Sequence, residues 1–362
     1  SLSTYATLSF GVGEFHFFSR QLFFGVIAIM LMWGISYLDP DKAISRIGFL
    51  LMFFGLFLMM IMPFLPESIA SSVGGAKRWI RVLGFSIAPV EFFKIGFIFF
   101  LAWTFSRKFD RRLPFKEEAK VIFPHLLALM LLFFIIAFKQ NDLGQIMLIG
   151  ITFTFMLVST GTSMWLFLTL GSGALLIFFV GIFSSEHRIY RIKQWLAVFN
   201  ENIFSVISPS LAQMLRVEDL PEPYQIIHSI NAIKNGGVFG EWLGNGLVKL
   251  GFLSEVHTDI VLAGITEELG LVFLFLVSIL ILLIVQRIFR IANRSENQIF
   301  SLFCVGVAVM IAFSFIINAF GITGLTPVKG LGVPFISYGG SSLLALSIGI
   351  GMILAISKKA RL

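Results

Sequence analysis

Charge is what this 362-residue chain has least of: Asp, Glu, Lys and Arg together supply 13% of it, about half the usual share of a soluble domain. That scarcity excludes a water-soluble globule, because too few groups remain to hydrate the surface. Cysteine is nearly missing as well. The single Cys304 lies in an apolar run, so no disulfide framework is available and helix packing must hold the fold. Common site signatures are also lacking. There is no Gly-Lys-Ser/Thr phosphate loop, no Gly-x-Ser-x-Gly elbow and no metal-ligand spacing of His, Cys, Asp or Glu. No signal peptide with a basic leading segment is visible.

What fills the chain instead is apolar surface. It is 57% hydrophobic with 43 Phe, and its mean hydropathy is +0.93. A membrane span needs about 20 predominantly apolar residues. Nine runs meet that need, at roughly 21–38, 46–65, 89–106, 121–138, 144–161, 164–184, 260–286, 298–318 and 339–357. Residues 1–10 read as the outer end of a first helix cut at Ser1. The expected fold is therefore all-α, a polytopic ten-helix bundle in one integral-membrane domain over 1–362, with a large extracytoplasmic loop at 185–258.

The net charge of +7 suits anionic lipid rather than nucleic acid, because the basic residues gather at span ends. Alternate short connections carry Lys42 and Arg46, then the Arg107–Lys120 cluster, then Arg287, Arg290 and Arg294, and finally Lys358, Lys359 and Arg361. The positive-inside rule then puts both termini in the cytoplasm and the 185–258 loop outside. Residues 74–88, GGAKRWIRVLGFSIA, mix cations with Trp79, Ile80, Val82 and Leu83, which predicts a short amphipathic helix lying in the interface.

A few charges fall where charge is costly. Glu91 and Lys94 stand three apart on one helix, and Asp142 opens a neighbouring span. They read either as a satisfied ionic cluster holding helices together or as one wall of a polar cavity. His257-Thr258-Asp259 leads into a late span that carries Glu267 and Glu268 two turns deeper. Thr258 as cap and Asp259 at the positive end of the helix dipole would account for the first carboxylate. A working, carboxylate-lined entry is the other reading. His257 reads as a loop residue, and Tyr338-Gly339-Gly340-Ser341-Ser342 as a small-residue packing device.

Taken together, GGAKRWIRV at 74–82, APVEFFK at 88–94, KQNDLG at 139–144, NGGVFGEWLGNG at 235–246, HTDIVLAGITEELG at 257–270 and PFISYGGSS at 334–342 resemble the SEDS family (FtsW, RodA, SpoVE). These are integral-membrane glycosyltransferases that polymerise peptidoglycan. The resemblance covers essentially the whole chain and leans toward FtsW rather than RodA. One departure is Asn141, where the family usually has Pro.

The resemblance implies transfer between lipid II molecules on the outer face of the cytoplasmic membrane, with inversion at the anomeric carbon and Asp259 as general base. It points to Lys77, Arg78, Arg81, Arg191 and Lys249, with His257 and Thr258, as substrate contacts. A divalent cation, Mg or Mn, is compatible with diphosphate departure, although no dedicated cage is readable. Implied partners are lipid II, a class B penicillin-binding protein, other division proteins and membrane lipid. The rival readings are a flippase or transporter of lipid-linked precursors and a non-catalytic scaffold. Against transport, the sequence shows no inverted repeat and no pair of Gly/Pro-broken spans at corresponding positions.

Overall fold

A computed structural model describes residues 15–70, 72–73, 76–82, 85–108, 115–134, 136, 140, 142–162, 165, 168–169, 172, 189, 193, 195, 224–248, 257–327 and 330–360. Helices dominate, in the order α1 His16–Ser36, α2 Pro40–Ile61, α3 Pro89–Lys108, α4 Phe115–Phe134 and α5 Leu143–Ser159, followed by α6 Tyr224–Gly236, α7 Val261–Arg294, α8 Gln298–Ile322 and α9 Gly340–Ser357. Six of them, α1, α2, α3, α7, α8 and α9, are long and apolar enough to cross a membrane, and α5 is a shorter apolar helix. The predicted span at 121–138 begins earlier, at Phe115, and takes Glu117 and Glu118 into its first turn, where the helix dipole favours acid. The stub at 1–10 and nearly all of the span at 164–184 lie outside the described residues.

The chain forms two compact units. One comprises residues 19–169, 281–314 and 339–362. Here α3 is the central helix, packed against α2, α5 and α9, with Phe93, Phe99 and Phe105 buried along it. The α2–α3 approach is so close that a Cβ on Gly96 would run into the Met52 backbone, so only glycine fits there. Asp39 caps α2 by accepting from Asp41 N at 3.2 Å, ahead of Pro40 in the first turn. Leu50, Phe53, Phe54 and Phe57 of α2 stay exposed, as expected of a face turned to lipid.

The same unit corrects one expectation. The stretch 74–88 is not an amphipathic helix but part of two short antiparallel ladders. These are β1 Ser72–Val73 with β2 Ala76–Lys77, and β3 Ile80–Val82 with β4 Phe85–Ile87. Ile80 is buried while Arg81 is exposed, and Ser86 is exposed between two half-buried neighbours. That alternation has the period of two that marks a strand. Gly74-Gly75 and Leu83-Gly84 also fall between the paired strands, where a continuous helix would have to absorb them.

The other unit comprises residues 1–18, 170–280 and 315–338. Its core joins Phe17, Ala232 of α6, Ile260–Ala263 at the head of α7, Ile322 at the end of α8, and Val333. Within it α7 is broken at Gly270, whose φ of 75° and ψ of 178° are not helical. An L side chain is strained at that φ, and a Cβ would also strike the Val238 carbonyl.

Candidate active site

The turn at 257–260 precedes the first residue of α7, Val261, and the carbonyl of Ile260 accepts from Ala263 N at 3.1 Å and Gly264 N at 3.3 Å. Asp259 thus stands just ahead of the helix, half-buried, beside half-buried Thr258 and His257. Three successive carbonyls of this turn are each gripped from elsewhere in the unit. Tyr338 N donates to the His257 carbonyl at 2.8 Å. Ser337 Oγ donates to the Thr258 carbonyl at 2.7 Å. Asn318 Nδ2 donates to the Asp259 carbonyl at 2.7 Å and to the Leu331 carbonyl at 2.7 Å.

The clamp is itself rigid. Asn318 is buried in α8, and Ser337 Oγ also accepts from Val333 N at 2.7 Å. Phe335, between Pro334 and the Ser337 clamp, takes a φ of 66°, a strained value for a bulky residue that surrounding structure must enforce. Phe17 stacks on the His257 ring with centroids 4.9 Å apart and meets Tyr338 edge-on at 5.0 Å. The sequence reading of 338–342 as a packing device does not include the part played by Tyr338, and Ser337 just before it was not singled out. Their pairing with the turn crosses about eighty positions, and no local pattern announces it.

Two turns into α7, the adjacent carboxylates are held differently. Glu267 is wholly buried, and its Oε1 accepts from Asn235 Nδ2 at 3.1 Å and from Val248 N at 2.8 Å. Glu268 Oε1 accepts from Gly244 N at 3.0 Å. The break at Gly270 completes the arrangement. A regular helix would bond Leu271 N to the Glu267 carbonyl. Instead Leu271 N donates to Gly237 O at 3.0 Å, Val272 N donates to Val238 O at 3.2 Å, and the Glu267 carbonyl accepts from Glu241 N at 3.0 Å. The loop 237–248 is thus stitched into the broken helix.

In the unit centred on α3, Lys94 Nζ lies 2.9 Å from Glu91 Oε2 and donates to Oε1 at 3.0 Å. Gln145 links this pair to Asp142: its Nε2 donates to Glu91 Oε1 at 3.0 Å and its backbone N to Asp142 Oδ1 at 3.1 Å. Gln145 was not singled out from sequence, since a lone glutamine in an apolar run carries no charge signal. Lys77 Nζ donates to the carbonyls of Leu65, at 2.5 Å, and Pro63, at 3.4 Å. Arg78 Nε donates to the Gln140 carbonyl at 2.8 Å, while Arg81 is exposed. Arg191 and Lys249 lie outside the described residues. Among the described residues no three His, Cys, Asp or Glu side chains gather as a metal site. The described residues thus supply no cage for a divalent cation, and no step is assigned to one.

The family model of FtsW, RodA and SpoVE, described as cell cycle proteins, matches residues 1–362. The chain belongs to the FtsW/RodA/SpoVE family. Among its relatives in that family, a probable peptidoglycan glycosyltransferase FtsW of Helicobacter pylori is 52% identical over 99% of this chain and 93% of its own length. A protein of the same name from Trichlorobacter lovleyi is 33% identical over 96% of this chain and 85% of its own. Solved structures of 19–21% identity share the fold. One, described as a peptidoglycan synthase complex coordinating polymerization and crosslinking, has a TM-score of 0.66 over 94% of this chain and 88% of that one. The rod shape determining protein RodA of Thermus thermophilus has a TM-score of 0.60 over 99% and 93%. The fold is accordingly that of a multi-pass α-helical membrane protein.

Proposed function

We propose that this chain is a peptidoglycan glycosyltransferase of the division type, polymerising lipid II with Asp259 as its general base. The observation that carries the role of Asp259 is the clamp. Its own carbonyl and the two before it are fixed by Asn318, Ser337 and Tyr338, so the side chain is presented from an immobilised turn at the head of a membrane helix. Preorganisation of this kind is what a proton-transfer group requires, since small misplacements are costly in rate.

In the reaction the sugar 4-hydroxyl of one lipid-linked disaccharide forms a bond to the anomeric carbon of another. The bond from that carbon to the diphosphate breaks, and the lipid diphosphate carries away the electron pair. Asp259 accepts the hydroxyl proton, and a single displacement turns the α-linked donor into a β-linked product. Of the cations the resemblance points to, Arg81 is exposed, while Lys77 and Arg78 are already engaged with backbone carbonyls.

The reaction takes place on the extracytoplasmic face of the cytoplasmic membrane, a sidedness resting on the basic connections of the sequence. A class B penicillin-binding protein is the partner that would crosslink the glycan. Likeness to a solved synthase complex supports that pairing. Glu91, Lys94 and Asp142, joined through Gln145, serve as a structural tie.

A broken helix is a feature that transporters also use. Here the amides of Leu271 and Val272 already donate to Gly237 and Val238, so the break offers neither of them to a transported ion. The test is polymerisation of purified lipid II by the chain with its penicillin-binding partner, transpeptidation blocked and products resolved on a gel. Chains from the wild type and none from Asp259→Asn are expected. Equal chains from both would remove Asp259 as the base.

A further inference from the structure

The loop 237–248, GVFGEWLGNGLV, contains one charged residue, Glu241, and five large apolar residues that the protein leaves uncovered. Val238 is 55% exposed, Phe239 83%, Trp242 79%, Leu243 69% and Leu247 69%. Such a cluster at a loop tip calls for an occupant. Trp242 sharpens the point, because it holds a φ of 70° in the left-handed region that bulky residues avoid. Backbone strain that serves to present an exposed indole signals a functional constraint.

We infer that residues 238–247 form a wedge seated in the apolar layer of the bilayer, in the leaflet that meets the head of α7. The depth follows from hydrogen bonding. Leu271 and Val272 donate their amides to Gly237 and Val238, so the loop lies at the level of the first turn after the break. From Leu271 to Gln286 the helix runs sixteen residues without a charge, fewer than the about 20 needed to cross the hydrocarbon core. The whole run, first turn included, therefore belongs inside the core.

Non-helical backbone survives at that depth only if its polar groups are satisfied within the protein. Three of the loop's amides are met this way, Val248 N by the Glu267 side chain, Gly244 N by that of Glu268 and Glu241 N by the Glu267 carbonyl, while the exposed Glu241 and Asn245 side chains belong at the polar edge of the layer. Leu271, Val272, Phe275 and Leu276 of α7, all exposed, continue the apolar surface of the loop. Lipid covering one covers the other, and Trp242 is the residue type favoured at the boundary of the core. This wedge rests on the multi-pass membrane fold and not on glycosyl transfer, so failure of the enzymatic reading leaves it standing.

Spin labels test it in the full chain, reconstituted into vesicles of phosphatidylethanolamine and phosphatidylglycerol. Phe239→Cys and Leu243→Cys are made in a Cys304→Ala background, with Leu276→Cys as the lipid reference and Asn297→Cys as the water reference. Collision with oxygen and with a water-soluble nickel chelate is read by power saturation. The expected result is oxygen accessibility near that of Leu276→Cys and nickel accessibility several-fold below that of Asn297→Cys. Nickel accessibility equal to Asn297→Cys would overturn the inference in favour of an aqueous loop. Low accessibility to both reagents would overturn it in favour of a protein cover. Trp242→Cys and Leu247→Cys carry the same test if either first variant fails to insert.

Discussion

At the break in α7 the carboxylates of Glu267 and Glu268 are engaged by Asn235, Val248 and Gly244. At the head of the same helix the engaged groups are the backbone carbonyls of residues 257–259, held by Tyr338, Ser337 and Asn318. Both places put acid at the end of an apolar helix, yet the consequences differ. A fully buried carboxylate filled by amide donors is a strut, since its lone pairs already serve the fold. Asp259 is half-buried instead, on a turn that is fixed through backbone carbonyls. Both places hold acidic residues; what differs is the part through which each is held.

The largest expected effect breaks that comparison if it fails. Asp259→Asn keeps the size and the carbonyl of the residue, so the clamp persists while the base is lost. Polymerisation should fall by about 10²–10⁴-fold, the usual contribution of a general base, with thermal unfolding unchanged. Wild-type turnover would reduce Asp259 to another strut.

Glu267→Leu should act through stability. It strands the Asn235 amide and the Val248 N–H, and a buried donor left unsatisfied costs about 1–3 kcal/mol. A loss of about 3 kcal/mol or more should appear in unfolding in mixed micelles, with activity falling in parallel. A variant of normal stability without activity would move Glu267 into the chemistry. Gly270→Ala should cost about 1–3 kcal/mol, because its φ of 75° is unfavourable to a side chain and the Val238 carbonyl blocks the Cβ. An unchanged unfolding midpoint would show that the break is not needed to hold the loop.

Asn318→Leu leaves the carbonyls of Asp259 and Leu331 without that donor, at about 1–3 kcal/mol. Its sharper signature is turnover lowered at temperatures where the variant remains fully folded, as expected of a residue that positions Asp259. Turnover tracking stability alone would make Asn318 part of the packing.

The smallest effect is at the surface, where Lys359 bonds Asp41 and lies 3.5 Å from Asp39. The hydrogen bond to Asp41 raises the Lys359 pKa above its ordinary value. The pair therefore stabilises the folded state fully below the ordinary lysine pKa, and that contribution fades as pH rises through the elevated one. Lys359→Met should flatten only this alkaline part of the stability curve, and a change near neutrality would contradict it.

Apolar runs made most spans legible, because about 20 residues without charge have few alternatives to crossing a bilayer. The elements misread were those whose pattern is short. At 74–88 a helical and a strand reading both suit a handful of mixed residues, and pairing of Ile80 with Ile87 decided for the strand. The break at Gly270 was invisible because one glycine in a hydrophobic run is tolerated in a helix. What makes it a break is the competing set of donors and acceptors in 237–241. Asp259, Glu267, Glu268, Glu91 and Asp142 stood out as costly charges, but Asn318, Ser337, Asn235 and Gln145, which bond to those residues or their neighbours, carried no signal of their own.

By itself, then, the sequence determined the solvent: scarce charge and long apolar runs commit the chain to the membrane, and its ordered motifs commit it to a family. Only the tertiary structure decided how each acidic residue is held. That depends on hydrogen bonds between residues tens of positions apart, and such bonds form only after the helices have packed.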